Sequence, residues 1–263
     1  MARTQKTAVV TGASAGIGRE LARLAAKDGH DLVVVARRRD RLEELAAELT
    51  AAHGVQVMVI DADLADRATP ANIAERLRAE NKPVDFLINN AGFGSCGPFA
   101  KAVLDREVEM IHLNIRALVQ LTHWFLPEML ARKSGRILNV ASVAGFVPGP
   151  YMATYYASKS FVLSFTEALA SELHGTGVSI TASCPGPTET EFSAVAGSSK
   201  SKLFQRGVAG AAPVALHAYR AMMAGRVVAL PGLMNKLIAQ SIRIAPRAWL
   251  RAIVAGLNRK RRS

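Results

Sequence analysis

Continuous apolar runs alternate with amphipathic stretches along the first two thirds of the chain. The first four elements predicted from this alternation are a strand at 7–10, a helix at 16–27, a strand at 31–36 and a helix at 40–52. Further strands are predicted at 55–60, 84–88, 135–140 and 178–182, with a weaker seventh at 226–230. Because these runs are almost entirely apolar, both faces of the strands should be covered.

This alternation of strands and helices is typical of α/β proteins with a parallel sheet and crossover helices. Two longer helices are predicted at 105–130 and 152–175, and Pro127 should end or kink the first of them. No repeat or flexible linker divides the chain, so we predict one domain over residues 1–263. Within it, residues 186–210 are rich in Ser, Gly, Lys and Thr and are predicted to form a substrate lid.

Composition narrows the class of protein. The chain has 263 residues, half of them apolar, which is enough for a sizeable core. It shows neither a secretory pattern nor an uninterrupted apolar stretch of about 18 residues, so we expect a cytoplasmic protein that is soluble or membrane-peripheral. The two cysteines and six histidines lack ligand spacing, and no metal site is predicted.

The positive charge is concentrated at the C-terminus. From residue 192 onwards there are 13 Lys and Arg and no Asp or Glu, whereas the whole chain has a net charge of +12. The basic extension at 233–263 suits weak contact with an anionic membrane surface or an acidic partner, or else a solvated helix packed through its apolar side. Its aromatic residues form no stacking platform, so nucleic acid is not expected.

A glycine-rich turn follows the first strand and opens the first helix. Such a turn lets a dinucleotide pyrophosphate approach the backbone and the helix N-terminus. A glycine-rich turn without a ligand is the alternative interpretation. The candidate residues are Gly12, Ser14, Gly16, Ile17 and Gly18.

Arginines stand at the end of the second strand, where an acidic residue would bind the ribose of NAD. Arg37 is the first candidate and Arg38 the second for a clamp on a 2′-phosphate, and Ser14 could add a hydroxyl. NADP(H) is therefore favoured over NAD(H). The alternative is that the arginines only begin a solvated helix.

A tyrosine and a lysine stand four residues apart in the helix predicted at 152–175. At this spacing the Lys159 ammonium can approach the phenol of Tyr155 and lower its pKa. Tyr156 lies three residues from the same lysine, so spacing alone leaves two candidates. An ordinary exposed helix pair is the structural alternative.

In combination, these motifs resemble the classical short-chain dehydrogenase/reductase family over about residues 7–190. The resemblance implies a Rossmann-type, doubly wound α/β fold: one domain with a mostly parallel seven-stranded sheet and helices on both faces. The matching motifs are Thr11-Gly12-x-x-x-Gly16-x-Gly18, Asp63-Leu64, Asn89-Asn90-Ala91-Gly92, Asn114, Ser142, Tyr155-x-x-x-Lys159 and Pro185-Gly186.

The resemblance also implies residue roles. It selects Tyr155 as general acid and base, with Tyr156 left to packing, and Ser142 as the donor that orients the substrate oxygen. Lys159 would lower the tyrosine pKa and bind the nicotinamide ribose, and Asn114 would hold a water. Further cofactor contacts are expected from Asp63, Leu64, Asn90, Ala91, Gly92, Pro185, Gly186, Thr188 and Thr190.

The implied activity is reversible NADP(H)-dependent hydride transfer between a carbonyl compound and an alcohol, by a homo-oligomer, dimeric or tetrameric. A hydrophobic substrate is expected from candidate pocket residues Phe93, Phe146, Val147, Pro148, Met152 and Phe192. The competing hypothesis is a non-catalytic nucleotide-sensing or membrane-peripheral protein on the same fold.

Overall fold

Short apolar runs pair into a parallel sheet in the computed structural model, which describes residues 5–198, 208–232 and 245–259. Its main sheet has seven strands in the order β3-β2-β1-β4-β5-β6-β9, and every neighbouring pair is parallel. The strands are β1 (Thr7–Thr11), β2 (Asp31–Ala36), β3 (Val57–Asp61), β4 (Phe86–Asn89), β5 (Gly135–Val140), β6 (Val178–Ser183), β7 (Thr188–Glu189), β8 (Ala209–Gly210) and β9 (Val228–Ala229). Strands β7 and β8 form a separate parallel pair.

Helices connect the strands. They are α1 (Gly16–Lys27), α2 (Arg39–His53), α3 (Thr69–Ala79), α4 (Leu104–Ile111), α5 (Leu118–Ala131), α6 (Ala153–Glu172), α7 (Phe192–Val195), α8 (Ala211–Met223) and α9 (Arg247–Asn258). A π-helical segment, His112–Ala117, joins α4 to α5, and 3-10 turns lie at Phe99–Lys101 and Val143–Phe146.

Successive strand residues face two different cores. Val10 packs on one side of the sheet with apolar residues of α1, α2 and α8. Its neighbour Val9 packs on the other side with residues of α3 and α5. The fully buried central strands confirm the doubly wound α/β fold with helices on both faces.

The strand order reverses between β1 and β4, which lie side by side at the centre of the sheet. At this point the Thr11 hydroxyl donates to the Ile88 carbonyl at 3.2 Å and accepts from the Asn90 amide at 2.9 Å. The Asn90 side chain in turn donates to the Thr11 carbonyl at 2.9 Å. These bonds join the two carboxyl ends at the switch point, where ligands bind in open α/β sheets.

The helix predicted at 105–130 is interrupted, but not at Pro127 as the sequence suggests. Pro127 does not end it, because α5 continues to Ala131. The interruption lies earlier, at the π-helical segment that contains Asn114. Proline removes only one amide donor, and the buried residues Phe125 and Met129 hold this part of α5 against the core.

The seventh strand, predicted at 226–230, is confirmed as β9 beside β6. The described residues leave out parts of the predicted lid and of the predicted C-terminal extension. These parts are residues 199–207 of the lid and residues 233–244 and 260–263 of the extension. Among the helices that the structure describes, none is long and apolar enough to cross a bilayer.

A chain of buried side-chain amides and hydroxyls crosses from β4 to α6 beneath the carboxyl edge. The side-chain amide of Asn89 donates to the side-chain oxygen of Asn139 at 2.9 Å. The side-chain amide of Asn139 in turn donates to the Thr166 hydroxyl at 2.9 Å. Asn139 is fully buried. Each member therefore depends on its neighbour, because water cannot replace a lost partner.

We expect Asn139→Ala to lower the free energy of unfolding by about 1–3 kcal/mol, because it leaves the Asn89 amide with a weaker set of partners. Urea unfolding followed by circular dichroism would measure the change. Asn72→Ala, at an exposed position of α3, is the matched control and should stay within about 0.5 kcal/mol of wild type. Equal effects of the two substitutions would contradict the role of the buried chain.

Candidate active site

A cavity of about 780 Å³ opens at the carboxyl edge of the sheet. It extends from the glycine-rich turn to the start of α6. The sequence-predicted site residues that line it are Gly12, Ser14, Gly16, Ile17, Arg37, Arg38, Asp63, Leu64, Asn90, Ala91, Gly92, Ser142, Tyr155, Lys159, Pro185, Gly186, Thr188 and Thr190. The structure therefore brings together almost every residue selected from the sequence; the two exceptions are Gly18 and Asn114.

The glycine turn has a backbone that other residues rarely adopt. Gly12 and Gly16 have φ angles of 66° and 55°. Helix α1, which begins at Gly16, has no side-chain cap and no acidic residue in its first turn. Its first amides and positive dipole end are thus available to an anion in the cavity.

Gly18 has a packing role. A Cβ at this position would lie 2.3 Å from the Gly12 carbonyl oxygen and 2.4 Å from Nδ2 of Asn90. Gly18 thus lets α1 pack directly against the junction of β1 and β4. It supports the turn from below and does not line the cavity.

The corner of the cavity beside the glycine turn is basic. Nη2 of Arg38 donates to the Ser14 hydroxyl at 3.1 Å, and its Nη1 lies 2.8 Å from a carboxylate oxygen of Glu191. Ser14 is itself buried. A guanidinium and a hydroxyl therefore converge where a phosphate group could accept from both.

Arg37 points towards acidic partners. Its Nη1 lies 3.5 Å from Glu109 and 3.6 Å from Asp63, and the side chain is largely exposed. Asp63 also accepts a hydrogen bond from the Ala65 amide at 2.8 Å, which fixes the turn after β3. Both arginines therefore have a carboxylate partner, and Arg38 differs in that it is also bonded to Ser14.

Two side chains at the opposite end of the cavity carry hydroxyls. Ser142 lies two residues beyond β5, accepts from the Ala144 amide at 3.1 Å and donates to the Pro185 carbonyl at 3.3 Å. Tyr155 lies in the first turn of α6 and packs against Phe192, with ring centroids 5.1 Å apart. Gly94 leaves room for both rings, since a Cβ there would lie 2.8 Å from Phe192.

Burial dominates the electrostatics of Tyr155. Desolvation raises the pKa of its phenol well above the ordinary value, and a hydrogen bond with the Ser142 side chain acts in the opposite direction. The lowering expected from the Tyr155 and Lys159 spacing would oppose this effect of burial, and it stays a prediction.

Lys159 is buried and directed towards the sheet. Its ammonium donates to the Val140 carbonyl at 2.7 Å and lies 5.9 Å from the centre of the Tyr155 ring. Burial lowers the pKa of this lysine to about 8. Gly92 faces the same nitrogen, because a Cβ there would lie 3.6 Å from Nζ of Lys159.

Asn114 connects three segments instead of lining the cavity. Its side chain accepts from the Phe93 amide at 3.1 Å and donates to the Phe93 carbonyl at 3.0 Å. The same amide nitrogen lies 3.0 Å from the Ser158 hydroxyl. The π-helical segment thereby fixes the loop after β4 against α6.

Helix α9 was missed as part of the site. Leu250, Ile253, Val254 and Leu257 line the cavity. At the end of the helix, the buried Asn258 accepts from the Tyr156 hydroxyl at 3.3 Å and donates to the Pro150 carbonyl at 3.0 Å. The signal available in the sequence was the recurrence of apolar residues at 250, 253, 254 and 257 before that asparagine.

Only some of the apolar residues predicted to line the cavity do so. Phe93, Val147, Met152 and Phe192 line the cavity, whereas Phe146 and Pro148 do not. Tyr156 is buried, as packing requires, and Gly149 lies against its ring. Within the described residues, no cluster of three or more metal-ligating side chains is found.

Comparison with known proteins gives one family. The family model described as short chain dehydrogenase matches residues 6–201. A very-long-chain 3-oxoacyl-CoA reductase of Anas platyrhynchos is 36% identical over 194 residues, which cover 72% of this chain. The chain spans 61% of that relative's length, and 62% and 63% of two further relatives.

Solved structures agree with the fold. A short-chain dehydrogenase from Sphingobium yanoikuyae in complex with NADPH is 34% identical, with a TM-score of 0.83 and coverage of 93% of this chain and 94% of that one. A short chain dehydrogenase/reductase from Burkholderia phymatum in complex with NAD is 28% identical, with a TM-score of 0.80 and coverage of 91% and 92%.

The lowered pKa of Lys159 predicts a pH dependence of stability. In the folded protein this pKa is about 8, against 10.5 for an ordinary lysine, so between these pH values the unfolded chain binds more protons. The contribution of Lys159 to the free energy of unfolding should therefore rise with pH over this interval, by up to about 3 kcal/mol. Urea unfolding of wild type and Lys159→Met from pH 7 to 10.5 would measure it as a difference in slope. Parallel profiles would contradict the prediction.

Proposed function

The chain belongs to the short-chain dehydrogenase family, and from this premise we propose that it is an oxidoreductase that interconverts a carbonyl compound and an alcohol. The observation that carries the proposal is that one cavity is lined at one end by an uncapped, glycine-rich helix N-terminus and at the other by Ser142, Tyr155 and Lys159. The first end suits a phosphate-containing cofactor. The second suits proton transfer at a substrate oxygen.

The residues fit a nicotinamide dinucleotide. Gly12, Gly16 and the first amides of α1 would hold the pyrophosphate, and the absence of a Cβ at Gly92 leaves space beside Lys159. Towards the adenine end, Asp63 and Leu64 line the cavity, as do Asn90 and Ala91. Pro185, Gly186, Thr188 and Thr190 would contact the nicotinamide half. When bound, the cofactor would supply or accept the hydride.

Tyr155 is the proposed general acid and base. In carbonyl reduction its hydroxyl would give a proton to the substrate oxygen, and in alcohol oxidation it would take that proton back. Burial raises the pKa of the phenol and so makes it a weaker acid, and the hydrogen bond with Ser142 acts against this shift. Ser142 would donate to the same oxygen and stabilise the charge that develops there.

Lys159 and Asn114 are proposed to hold the cofactor and the cavity walls in position for this proton transfer. Lys159 would bring a positive charge to the nicotinamide ribose while its bond to Val140 fixes its position. Asn114 would act as a positioning residue, since its bonds to Phe93 and Ser158 hold both walls of the cavity. In neither case is contact with the substrate needed.

The substrate is proposed to be hydrophobic. Phe93, Met152 and Phe192 line the cavity together with residues of α9. An apolar wall without charged side chains favours a bulky or long-chain carbonyl compound, because such a compound releases water on binding. The relative from Anas platyrhynchos is named as a reductase of very-long-chain 3-oxoacyl-CoA, a compound of that kind.

We also propose a homo-oligomer. Exposed apolar side chains lie on two helices, among them Ile111 on α4 and Phe161 on α6, where Phe161 stacks on Phe165. Such a surface fits a second copy of the chain. The cytoplasmic location stays a prediction from the sequence.

A non-catalytic nucleotide-binding protein is the competing proposal. Such a protein would need the glycine turn but not a buried tyrosine beside a serine. We expect Tyr155→Phe to lower kcat by about 100-fold or more while the dissociation constant of NADPH changes little, since only the proton donor is lost. NADPH consumption over a panel of ketones and aldehydes would measure kcat.

Tyr219→Phe is the matched control for this substitution, because Tyr219 is also buried but donates to Asp28, away from the cavity. It should keep wild-type turnover. Tight NADPH binding without tyrosine-dependent turnover of any substrate would favour the binding protein.

NADP(H) is the proposed cofactor, with Arg38 and Ser14 as the main 2′-phosphate clamp and Arg37 as the secondary one. This order reverses the ranking expected from the sequence, because both arginines pair with carboxylates but only Arg38 is also bonded to the buried Ser14. The solved relatives contain NADPH in one case and NAD in another, so the basic corner is the main support.

We expect Arg38→Ala to weaken NADPH binding by about 10-fold to 100-fold and to leave NADH binding almost unchanged, because only the 2′-phosphate loses a charged partner. Fluorescence titration with both cofactors would measure the dissociation constants. Arg37→Ala should have a smaller effect, and Arg39→Ala, which does not line the cavity and pairs with Glu43, is the control. A larger loss for Arg37→Ala would reverse the assignment.

A further inference from the structure

Helix α9 is apolar on two sides. Leu250, Val254 and Asn258 face the body of the protein, and Asn258 fixes the helix there through Tyr156 and Pro150. Its exposed residues are apolar except for Arg247 and Arg251, which helix spacing places on the side of Val254 and Asn258. We name the exposed apolar surface the outer face of α9; it consists of Ala248, Trp249, Ala252, Ile253, Gly256 and Leu257.

The outer face exposes large side chains that a helix in water normally buries. Trp249, Ile253 and Leu257 keep 69%, 60% and 38% of their surface exposed. They recur every fourth residue and so form one stripe. A helix with Trp, Ile and Leu on one face and Arg on another has the pattern of helices that lie in a membrane interface.

The charge around the stripe selects the partner. Arg247, Arg251 and Arg259 are exposed on or beside α9. After Glu191 the chain contains no acidic residue but 13 Lys and Arg. Pairing of two copies through α9 would bring arginines together without any carboxylate to neutralise them, whereas anionic lipid headgroups supply the missing negative charge.

We propose that α9 docks the protein on an anionic lipid surface, with Trp249, Ile253 and Leu257 inserted at the level of the headgroups. Tryptophan prefers this level, and the long side chains of Arg247 and Arg251, on the opposite side of the helix, can extend to the phosphates. The helix would lie on the bilayer without crossing it.

The cavity mouth would then face the membrane. Ile253 and Leu257 belong to both surfaces, since they are exposed on the outer face of α9 and also line the cavity. A continuous apolar path therefore leads from the docking surface into the cavity. A compound dissolved in the bilayer could follow it without entering bulk water.

The test uses the full chain and vesicles of phosphatidylcholine with or without about one third phosphatidylglycerol. Trp124→Phe leaves Trp249 as the single tryptophan, because the chain contains two. With anionic vesicles we expect co-sedimentation, a blue shift of Trp249 emission and quenching by lipids with brominated acyl chains. Pure phosphatidylcholine should bind the protein much more weakly.

Two variants separate insertion from charge. Trp249→Ser should weaken vesicle binding by about tenfold, since it removes the largest inserted side chain. The double variant Arg247→Gln, Arg251→Gln should weaken it by a similar factor and reduce its salt dependence. Val227→Ser is the control, because Val227 is 40% exposed and lies next to β9; it should bind as wild type.

Three results would overturn the proposal. The first is vesicle binding that is unchanged by Trp249→Ser. The second is Trp249 emission that is already blue-shifted and protected from acrylamide without vesicles, which would mean that the protein covers the stripe itself. The third is self-association that Trp249→Ser abolishes, which would identify a second copy as the partner. All three are measured without substrate or cofactor, so they are independent of the proposed oxidoreductase activity.

Discussion

The junction of β1 and β4 is the constraint on which the rest of the site depends. Parallel strands place all their carboxyl ends at one edge of the sheet. The order in which successive strands are added to the sheet reverses at β1 and β4. Thr11 and Asn90 join them through backbone and side-chain bonds, so the glycine turn and the loop after β4 cannot move independently. Gly18 completes the junction, because any side chain there would push α1 away from it.

The cavity that follows from this arrangement has two ends of opposite character. Around Ser14 and Arg38, charged and polar atoms remain close to solvent. At this end an anion would be bound mainly by electrostatic attraction. Around Tyr155 and Lys159, burial excludes water and disfavours the charged form of each group, which raises one pKa and lowers the other. A charge introduced by a ligand would therefore act strongly at this end, since little water is present to screen it.

Much of the fold could be predicted because strand runs and glycine turns are local signals. The β-branched runs of β1, β2, β5 and β6 are buried on both faces, so their composition alone identifies them. Other features depend on contacts that are distant in sequence. The contacts of Arg37 with Glu109 and of Arg38 with Ser14 and Glu191 are long-range, and the continuation of α5 past Pro127 is decided by core packing. The direction of Lys159 towards Val140 likewise belongs to the assembled sheet.

Helix α9 lines part of the cavity but contains none of the residues proposed to act in proton transfer. The part of the chain that matches the family ends at residue 201, yet part of the apolar wall comes from the twelve residues of α9. Only the buried Asn258 needs to be retained for the helix to keep its bonds to Pro150 and Tyr156. Substitutions elsewhere in α9 can therefore change which molecules fit while Ser142 and Tyr155, the residues proposed to act on the substrate oxygen, stay as they are. Selection for a new substrate would have a short, separate segment of sequence to act on.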